Sequence, residues 1–522
     1  MLRRSGEIGK LNLRTVGIAT LGVLAVAIAF FLLGRGSGAA PKEFETLDQS
    51  PRIYPDYTDT TIPPNLAPLN FDVCERADQI AVGAYNDQGE LLAFFKGSEV
   101  RFSTKVWKTI VRGNIGRSVR FSVFAKDSSG WFKYRDFSIT ISADEIDRYL
   151  SYRLVGPGYE YFSDLALWTR DLESFNERAL FRARLVNERT CVNCHTFQDR
   201  HTDNFFFHLR LVDGGTIFVQ DGTEVSKREL KAVGLSGGCS YAAWRPNSKH
   251  VAFVSNKTEQ VFHTKSLDRI DVLDSFGDLY LYDVERNLMT PIVPPGDETL
   301  ECFPSWSQDG KTLYYCSAKN PGFKTLRTDS EARSTEAMYL VKNIRYDLKR
   351  VEYNEETGQF SAPELVFDAA GREQSALFPR LSPDGKLLIF TLTRYGCFPI
   401  WYRDSDIWSL DVASGETRRL DEINSPTEPD SYHSWSSSGK WMVFSSRRDD
   451  GSYTRLYFTH FDETTGKFSK PVMLPQKDPC ETLVSKRSYN IPEFTVEPVR
   501  VSERKLLKYA SGTPTIQAEV AR

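Results

Sequence analysis

Apolar and polar residues alternate in short runs along most of the chain. The clearest runs before residue 150 are 79–85, 90–95, 117–124 and 134–141. Alternation with a period of two is the pattern of half-buried strands. Turn residues separate the runs, for example at 86–89 and 127–130. This spacing predicts a small β-sandwich over residues 58–160.

After residue 200 a strand–turn–strand pattern recurs, which predicts a repeat architecture. In each copy a large apolar residue ends one strand, a polar turn follows, and a lysine opens an apolar return strand. The copies begin at Trp244, Trp306, Leu381 and Trp435, and their lysines are Lys249, Lys311, Lys386 and Lys440. Third strands recur at 278–283, 406–411 and 455–460, and two of them are followed by a fourth run. Four antiparallel strands per repeat make a propeller blade.

The propeller is expected to span residues 205–502 and to have six blades, with five or seven as alternatives. The repeats are longer than the roughly 40–50 residues of common propeller repeats, so the surplus is expected in loops. Residues 205–224 are predicted to form a less regular first blade, and 488–502 are a candidate for a closing strand. Residues 503–522 are expected to form a C-terminal tail.

Two segments have a pattern that favours helix over strand. Residues 142–149 begin with a capping sequence and predict a short helix. Residues 171–186 also predict a helix. It belongs to a segment, 161–204, that is expected to be helical and that contains a Cys-x-x-Cys-His run at residues 191–195. The predicted fold class is therefore mainly β, with little helix outside the N-terminal region.

The N-terminal region contains an uncharged apolar run, Val16–Leu33. At about 1.5 Å per residue it spans about 27 Å, close to one bilayer core. Basic residues precede it, so residues 1–15 are expected in the cytoplasm, 16–34 as a transmembrane anchor and 35–57 as a linker. The alternative is a cleaved signal peptide, because small residues occupy 37–40. Either reading exports the bulk of the chain, and we expect an inner-membrane protein with a periplasmic body.

Composition narrows the class of partner. The chain has 522 residues and a net charge of −3, with 66 basic and 69 acidic residues. A nucleic-acid-binding protein normally has a basic excess, so nucleic acid is not expected as a partner. Aromatic residues make up 13 % of the chain, and its 34 glycines and 25 prolines suit a β-rich protein with many turns.

The most specific chemical motif is Cys-x-x-Cys-His at Cys191, Cys194 and His195. This is the attachment signature of c-type haem, in which two thiols bond to the haem and the adjacent histidine ligates the iron. One covalent haem c is therefore the predicted cofactor. The alternatives are a disulfide between the two cysteines, or another metal. No second ligand pair with zinc spacing lies nearby.

The second axial ligand of the iron is less well specified. The preferred candidate is His208, which follows a run of three phenylalanines, and the weaker candidates are His263 and then His201. For each of them the alternative is a hydrogen-bonded structural histidine. Among the other cysteines, Cys302 and Cys316 flank one of the repeated turns, which predicts either a cross-strand disulfide or two buried thiols.

The repeated Trp/Leu-Ser-x-Asp-Gly-Lys turn resembles the repeat of TolB-like propellers. The segments 62–71, 191–197, 207–210 and 432–441 together resemble a family of exported TolB-like proteins with one c-type haem motif, of the kind found in Bacteroidetes. The resemblance implies a location and an architecture and no defined reaction. In that family a methionine is expected before the Phe-His stretch, and here the stretch is 204–208, without methionine.

These observations lead to two functional hypotheses. The first is a membrane-anchored mono-haem cytochrome-like protein that transfers single electrons or senses redox state, with the propeller docking a redox or envelope protein. The second is a binding scaffold in the cell envelope, in which the propeller is the working part and the haem is structural. No enzyme is predicted, because the sequence contains no catalytic constellation. Gly234-Leu-Ser-Gly-Gly238 matches a nucleophile motif in form, but a strand and not a helix is expected after it.

Overall fold

The structure is a computed structural model that describes residues 39–157, 164–231, 235, 237–263, 266, 268, 270–296, 298–323, 330–511 and 516–521, with only the backbone for 330–335. Strands make up 49 % of it and helices 9 %, so the chain is mainly β, as predicted. The proposed anchor, Val16–Leu33, lies outside these residues. Within the described segments, no helix is both long enough and apolar enough to span a membrane.

The N-terminal domain consists of two sheets and one helix. Its seven-stranded sheet contains β1 (Glu45–Thr46), β3 (Thr60–Ile62), β5 (Gln79–Tyr85), β6 (Leu91–Lys96), β8 (Ser118–Asp127), β9 (Gly130–Lys133) and β10 (Phe137–Ile141). The three-stranded sheet contains β2 (Ile53–Tyr54), β4 (Phe71–Val73) and β7 (Glu99–Val100). Helix α1 (Thr104–Gly113) is capped by Ser103, whose hydroxyl accepts from the N–H of Val106. The sequence pattern gave the four long strands and missed this helix.

The next five sheets follow in chain order. The first contains β14 (Thr190–Gln198), β15 (His201–Leu211), β16 (Gly215–Gln220) and β17 (Glu224–Glu229), and the second β18 (Gly238–Trp244), β19 (His250–Phe262), β20 (Ile270–Asp283) and β21 (Leu288–Pro291). The third contains β22 (Thr299–Trp306), β23 (Thr312–Lys319), β24 (Tyr346–Asn354), β25 (Gln359–Phe360) and β26 (Glu364–Phe367). The fourth contains β27 (Ser375–Leu381), β28 (Leu387–Thr393), β29 (Asp406–Asp411) and β30 (Thr417–Arg419). The fifth contains β31 (Asp430–Trp435), β32 (Trp441–Ser446), β33 (Arg455–Asp462), β34 (Lys467–Phe468) and β35 (Val472–Met473).

A sixth sheet combines three strands that precede these five sheets in the chain with one strand that follows them. Its strands are β11 (Tyr149–Val155), β12 (Ala166–Asp171), β13 (Glu177–Arg182) and, from the C-terminal side, β36 (Ser488–Thr495). The strands β14, β18, β22, β27, β31 and β36 contact one another in that order, and β36 returns to β14. Six antiparallel groups of four or five strands around a closed ring form a six-bladed propeller, whose ring is closed by pairing of β11 with β36. The second and third groups are also joined by one parallel bridge, between Gly277 and Leu300.

The remaining elements cover edges and ends of this ring. Helix α2 (Ser330–Val341) lies in the insertion between β23 and β24, and α3 (Cys480–Val484) precedes β36. Helix α4 (Glu503–Ala510) packs on β13 and β17. Strands β37 (Ile516–Gln517) and β38 (Glu519–Val520) pair with β17 and β21. Three 3₁₀ turns occupy Ala183–Leu185, Ala370–Arg372 and Pro399–Trp401.

The two helices predicted from sequence are absent from their positions. Asp171 ends β12, and the residues after it form a turn, then β13, then a 3₁₀ turn, in which Leu180, Phe181 and Ala183 are buried in one apolar core. Residues 142–148 form turns, and Tyr149 already opens β11. The predicted helical segment before the Cys-x-x-Cys-His run is therefore part of the propeller.

The N-terminal domain shares one apolar core with the fifth sheet. Phe71 and Phe121 belong to the same buried cluster as Trp441 and Phe458. The indole N–H of Trp441 donates to the carbonyl of Asp144 at 3.0 Å. The continuous core fixes this domain against one side of the propeller and leaves the axis of the ring free.

Candidate functional site

The same backbone irregularity occurs in all six inner strands. In each, one extra residue interrupts the pairing with the second strand, which defines a β-bulge. The extra residue lies next to a residue with positive φ, and these residues are Cys194 (49°), Tyr241 (43°), Phe303 (51°), Phe378 (54°), Tyr432 (53°) and Ile491 (48°). A left-handed backbone costs a non-glycine residue on the order of 1–3 kcal/mol, so the surrounding packing must hold it.

Aromatic rings at this level pack against one another across the axis. The ring centroids of Tyr241 and Phe303 lie 4.5 Å apart, those of Phe303 and Phe378 3.8 Å, and those of Phe378 and Tyr432 4.8 Å. The stack joins four consecutive blades. Cys194 is the member of this level that the first blade contributes.

The Cys-x-x-Cys-His run therefore lies in the inner strand of the first blade. Cys191, Val192 and Asn193 pair in regular register with Arg210, Leu209 and His208. The β-bulge begins after Asn193, so Cys194 follows directly on the regular part of the strand. Both cysteines are free thiols in this structure, and the alternative of a Cys191–Cys194 disulfide is not formed in it.

His195 and the preferred distal ligand, His208, lie on opposite faces of the first blade. His195 is buried beside Ser151 and Arg153 of β11, in the gap toward the sixth blade. His208 packs on Phe206 and on Phe253 of the second blade, at centroid distances of 5.7 and 5.5 Å. Two histidines on opposite faces of one sheet cannot be the two axial ligands of one iron.

Burial keeps both rings neutral. It lowers the pKa of His195 to about 3, with a further contribution from the Arg153 guanidinium, and burial likewise lowers the pKa of His208 to about 3. One ring nitrogen of His208 lies 2.8 Å from the hydroxyl of Thr216. Among the described residues neither ring nitrogen of His195 has a hydrogen-bond partner of normal geometry, although the main chain of Ser151 lies near it.

A second histidine occupies the equivalent place in the fifth blade. His433 follows Tyr432 as His195 follows Cys194, and one of its ring nitrogens lies 3.1 Å from the carbonyl of Ile389 on the preceding blade. Both histidines thus fill the gap between a blade and its predecessor. A packing role in the propeller accounts for His195 as well as it accounts for His433.

The weaker distal candidates have partners of their own. His263 follows β19, and its Nε2 lies 2.5 Å from a carboxylate oxygen of Asp271. His201 is exposed, with Nδ1 3.1 Å from a carboxylate oxygen of Glu497. In the described part of the chain, neither forms a cluster of metal-binding atoms with His195 or the two cysteines.

The space around the Cys-x-x-Cys-His run is limited in this structure. Cys194 and His195 line the axial cavity, and His195 also lies beside Arg153 of β11. The cavity has a volume of about 200 Å³, whereas pockets for drug-sized ligands usually have 300–1,000 Å³. Covalent haem stays a prediction from sequence.

The axial cavity is the place where all six blades converge. Its wall includes the residue two positions after each left-handed residue: Thr196, Ala243, Ser305, Arg380, Ser434 and Glu493. Arg200, from the turn after β14, also lines it. Small and hydroxyl side chains thus leave space at this level, and two arginines, Arg200 and Arg380, and two acidic residues, Asp199 and Glu493, place charge around the cavity.

The charged groups of the cavity are poorly hydrated. A carboxylate oxygen of Glu493 accepts from the N–H of Phe197 at 2.9 Å, and burial still raises the pKa of Glu493 to about 7. Burial lowers the pKa of Arg380, which the nearby Glu493 carboxyl partly offsets. Arg380 donates to the carbonyl of Pro379 at 3.0 Å, and Arg200 to that of Trp435 at 3.0 Å. Among the described residues no carboxylate lies within 4.0 Å of either guanidinium.

The raised pKa of Glu493 predicts a pH-dependent stability. The folded state binds this proton more tightly than the unfolded state, so the carboxyl lowers stability as the pH rises from about 4.5 to about 7. The substitution Glu493→Gln removes this effect. Relative to the wild type, the variant should gain on the order of 1–3 kcal/mol between pH 5 and pH 8. Urea unfolding of both proteins at the two pH values measures the difference, and a difference independent of pH would contradict it.

Arg200, Arg380 and Glu493 were not predicted as site residues, because none of them belongs to a recognisable sequence motif. The alignment of the repeats contained a usable signal. Cys194-His-Thr-Phe197 aligns with Tyr432-His-Ser-Trp435, which precedes the turn of the fifth blade. With residues 194–197 added as a further copy, the repeat alignment predicts that the Cys-x-x-Cys-His run lies in an inner strand and that Thr196 faces the axis.

Cys302 and Cys316 are the two cysteines for which the sequence predicts either a cross-strand disulfide or two buried thiols. Cys302 and Cys316 are directly opposed in β22 and β23, and both are fully buried as free thiols. Burial raises the pKa of the Cys302 thiol well above its usual range. In this structure the pair therefore packs as two small apolar side chains.

No family model matches the chain, and no characterised protein matches it in sequence. Solved structures with a similar chain course include TolB from Acinetobacter baumannii, at 13 % identity, with 75 % of this chain and 85 % of TolB covered and a TM-score of 0.40. An oligogalacturonate lyase in complex with manganese is similar at 14 % identity, with 61 % and 73 % covered and a TM-score of 0.35. The propeller assignment rests on the closed ring of six sheets.

Proposed function

We propose that this protein is a non-catalytic binding propeller in which the axial cavity is the working site. The observation that carries the proposal is the convergence of three partly buried charged side chains, Arg200, Arg380 and Glu493, where all six inner strands meet. Buried charges are costly unless a partner satisfies them, and they concentrate at functional sites. A ligand in the cavity would supply that partner.

The proposal assigns the Cys-x-x-Cys-His run to the cavity wall. Cys194, His195 and Thr196 all line the cavity, and His195 also lies beside Ser151 and Arg153 of the sixth blade. We prefer this assignment to the electron-transfer hypothesis, because His195 and the preferred second ligand, His208, lie on opposite faces of the first blade. The binding-scaffold hypothesis keeps its support without a haem, because the propeller itself supplies the site.

Catalysis is not proposed for the cavity. Among the described residues that line it, no serine or threonine hydroxyl is hydrogen-bonded to a histidine, as an activated nucleophile would require. Thr196 lies 3.5 Å from the Glu493 carboxylate, at the limit of hydrogen bonding. Outside the cavity, β18 and not a helix follows Gly238, so the context of a nucleophile elbow does not form there.

Filling the cavity tests the proposal. Ser305 lies on the axis and Ser361 on the outer surface, so Ser305→Trp should block the cavity and Ser361→Trp should leave it open. Thermal unfolding is measured for the wild type and both variants against a library of small polar metabolites. We expect compounds that raise the midpoint of the wild type and of Ser361→Trp and have no effect on Ser305→Trp. Absence of any such compound, or stabilisation of all three proteins alike, would contradict the proposal.

A further inference from the structure

We infer that the axial cavity binds a small zwitterion, a molecule that carries a carboxylate at one end and an ammonium group at the other. The inference rests on the proposed function and names its ligand class. It follows from the placement of one cationic and one anionic side chain in the same level of the cavity, without an ion pair between them. An amino acid with a small side chain is the simplest ligand of this kind.

The carboxylate end is matched by Arg380. Its side chain is partly buried, and its hydrogen bond to the Pro379 carbonyl uses one of five N–H donors. A guanidinium presents two parallel N–H groups that fit the two oxygens of a carboxylate. Arg200 brings a second positive charge to the same cavity. A ligand carboxylate would therefore compensate charge that the described protein groups leave without a carboxylate within 4.0 Å.

The ammonium end is matched by Glu493. One of its oxygens is held by the N–H of Phe197 and lies near the hydroxyl of Thr196. Its other oxygen has no hydrogen-bond partner among the described residues, and an ammonium group supplies three donors for it. Binding of a cation there would favour the ionised carboxylate, which burial alone disfavours.

The two side chains that match the ends of the ligand, Arg380 and Glu493, are separated by one blade, which contributes a small residue between them. Arg380 belongs to the fourth blade, Glu493 to the sixth, and Ser434 of the fifth blade lies between them on the same level. A volume of about 200 Å³ corresponds to about seven water molecules at roughly 30 Å³ each. Glycine or serine fits this space.

Calorimetric titration with matched probes tests the inference. Glycine and L-serine carry both charges, acetate carries only the anion, and ethylamine carries only the cation. We expect glycine or L-serine to bind the full-length protein, and both single-charge probes to bind at least tenfold more weakly. Equal affinity for acetate would show a simple anion site, and failure of both amino acids to bind would overturn the inference.

Variants assign the contacts. Arg380→Gln and Glu493→Gln should each weaken amino-acid binding at least tenfold, and Arg380→Lys should restore only part of it, because the bidentate fork is lost. Arg350→Gln is the matched control, since Arg350 pairs with Glu364 on the outer surface and should bind as the wild type does. Circular dichroism confirms that each variant is folded, and wild-type affinity in Arg380→Gln would contradict the inference. If library compounds bind in the Ser305-dependent way and the amino acids do not, the inference fails while the proposed function stands.

Discussion

Removal of residues 488–522 will leave a chain without a folded propeller. This truncation deletes β36, the inner strand of the sixth blade, which pairs with β11 and contacts both β31 and β14. Phe494 is fully buried within it, in the core shared with the N-terminal domain. Without β36 the ring stays open and the inner edge of β11 is unpaired, and an unpaired apolar edge favours aggregation. We expect aggregated or protease-sensitive protein without a cooperative unfolding transition.

A shorter truncation is the control. Removal of the residues after Ser511 deletes only β37 and β38, which extend the outer edges of the first and second blades. This variant should stay folded and unfold cooperatively, at a modestly lower temperature. A soluble, cooperatively unfolding chain that ends at Arg487 would contradict the closure of the ring by β36.

Replacement of Phe303 by alanine will destabilise the protein by about 3–5 kcal/mol, the usual cost of removing a buried phenylalanine side chain. The Phe303 ring is 4 % exposed and packs between Tyr241 and Phe378 at the axis. Cys194→Ala alters the equivalent position of the first blade and removes a single sulfur atom, so we expect a cost of about 1 kcal/mol or less. Urea unfolding of the two variants and the wild type measures both changes.

The comparison separates packing from backbone strain. Both variants keep a β-carbon at a residue with positive φ, so the strain of the left-handed backbone is the same in each. If Cys194→Ala lowers the free energy of unfolding as much as Phe303→Ala does, Cys194 has a role beyond packing at the axis of the propeller. Such a result would favour a cofactor on that thiol.

The repeated hairpins were predictable because their signal is local. In the third, fourth and fifth blades the turn glycines Gly310, Gly385 and Gly439 all have positive φ, which is why the sequence uses glycine there. In the first blade Arg200 takes a left-handed conformation at the corresponding turn. Arginine gives no turn signal, so β14 and β15 could not be joined into a hairpin from the pattern alone.

The sixth blade and the candidate site depend on contacts between distant parts of the sequence. β11 and β36 pair across more than half of the chain, and no local pattern states which strands meet. Arg380 and Glu493 reach one cavity only after the ring closes. The Cys-x-x-Cys-His run is a highly specific short motif, and the propeller repeat is a weaker sequence signal. In this structure the run nevertheless adopts the conformation of the propeller repeat.

The most direct test of this account is the intact mass of the protein under denaturing conditions. The full chain should be expressed with its N-terminal segment in a host that has c-type haem maturation, and its absorption spectrum recorded with pyridine under alkaline reducing conditions. The account predicts a mass equal to that of the polypeptide, no haemochrome bands, and free thiols at Cys191 and Cys194. A mass increased by one covalently bound haem would contradict it, because the inner strand of the first blade could not then have the structure described.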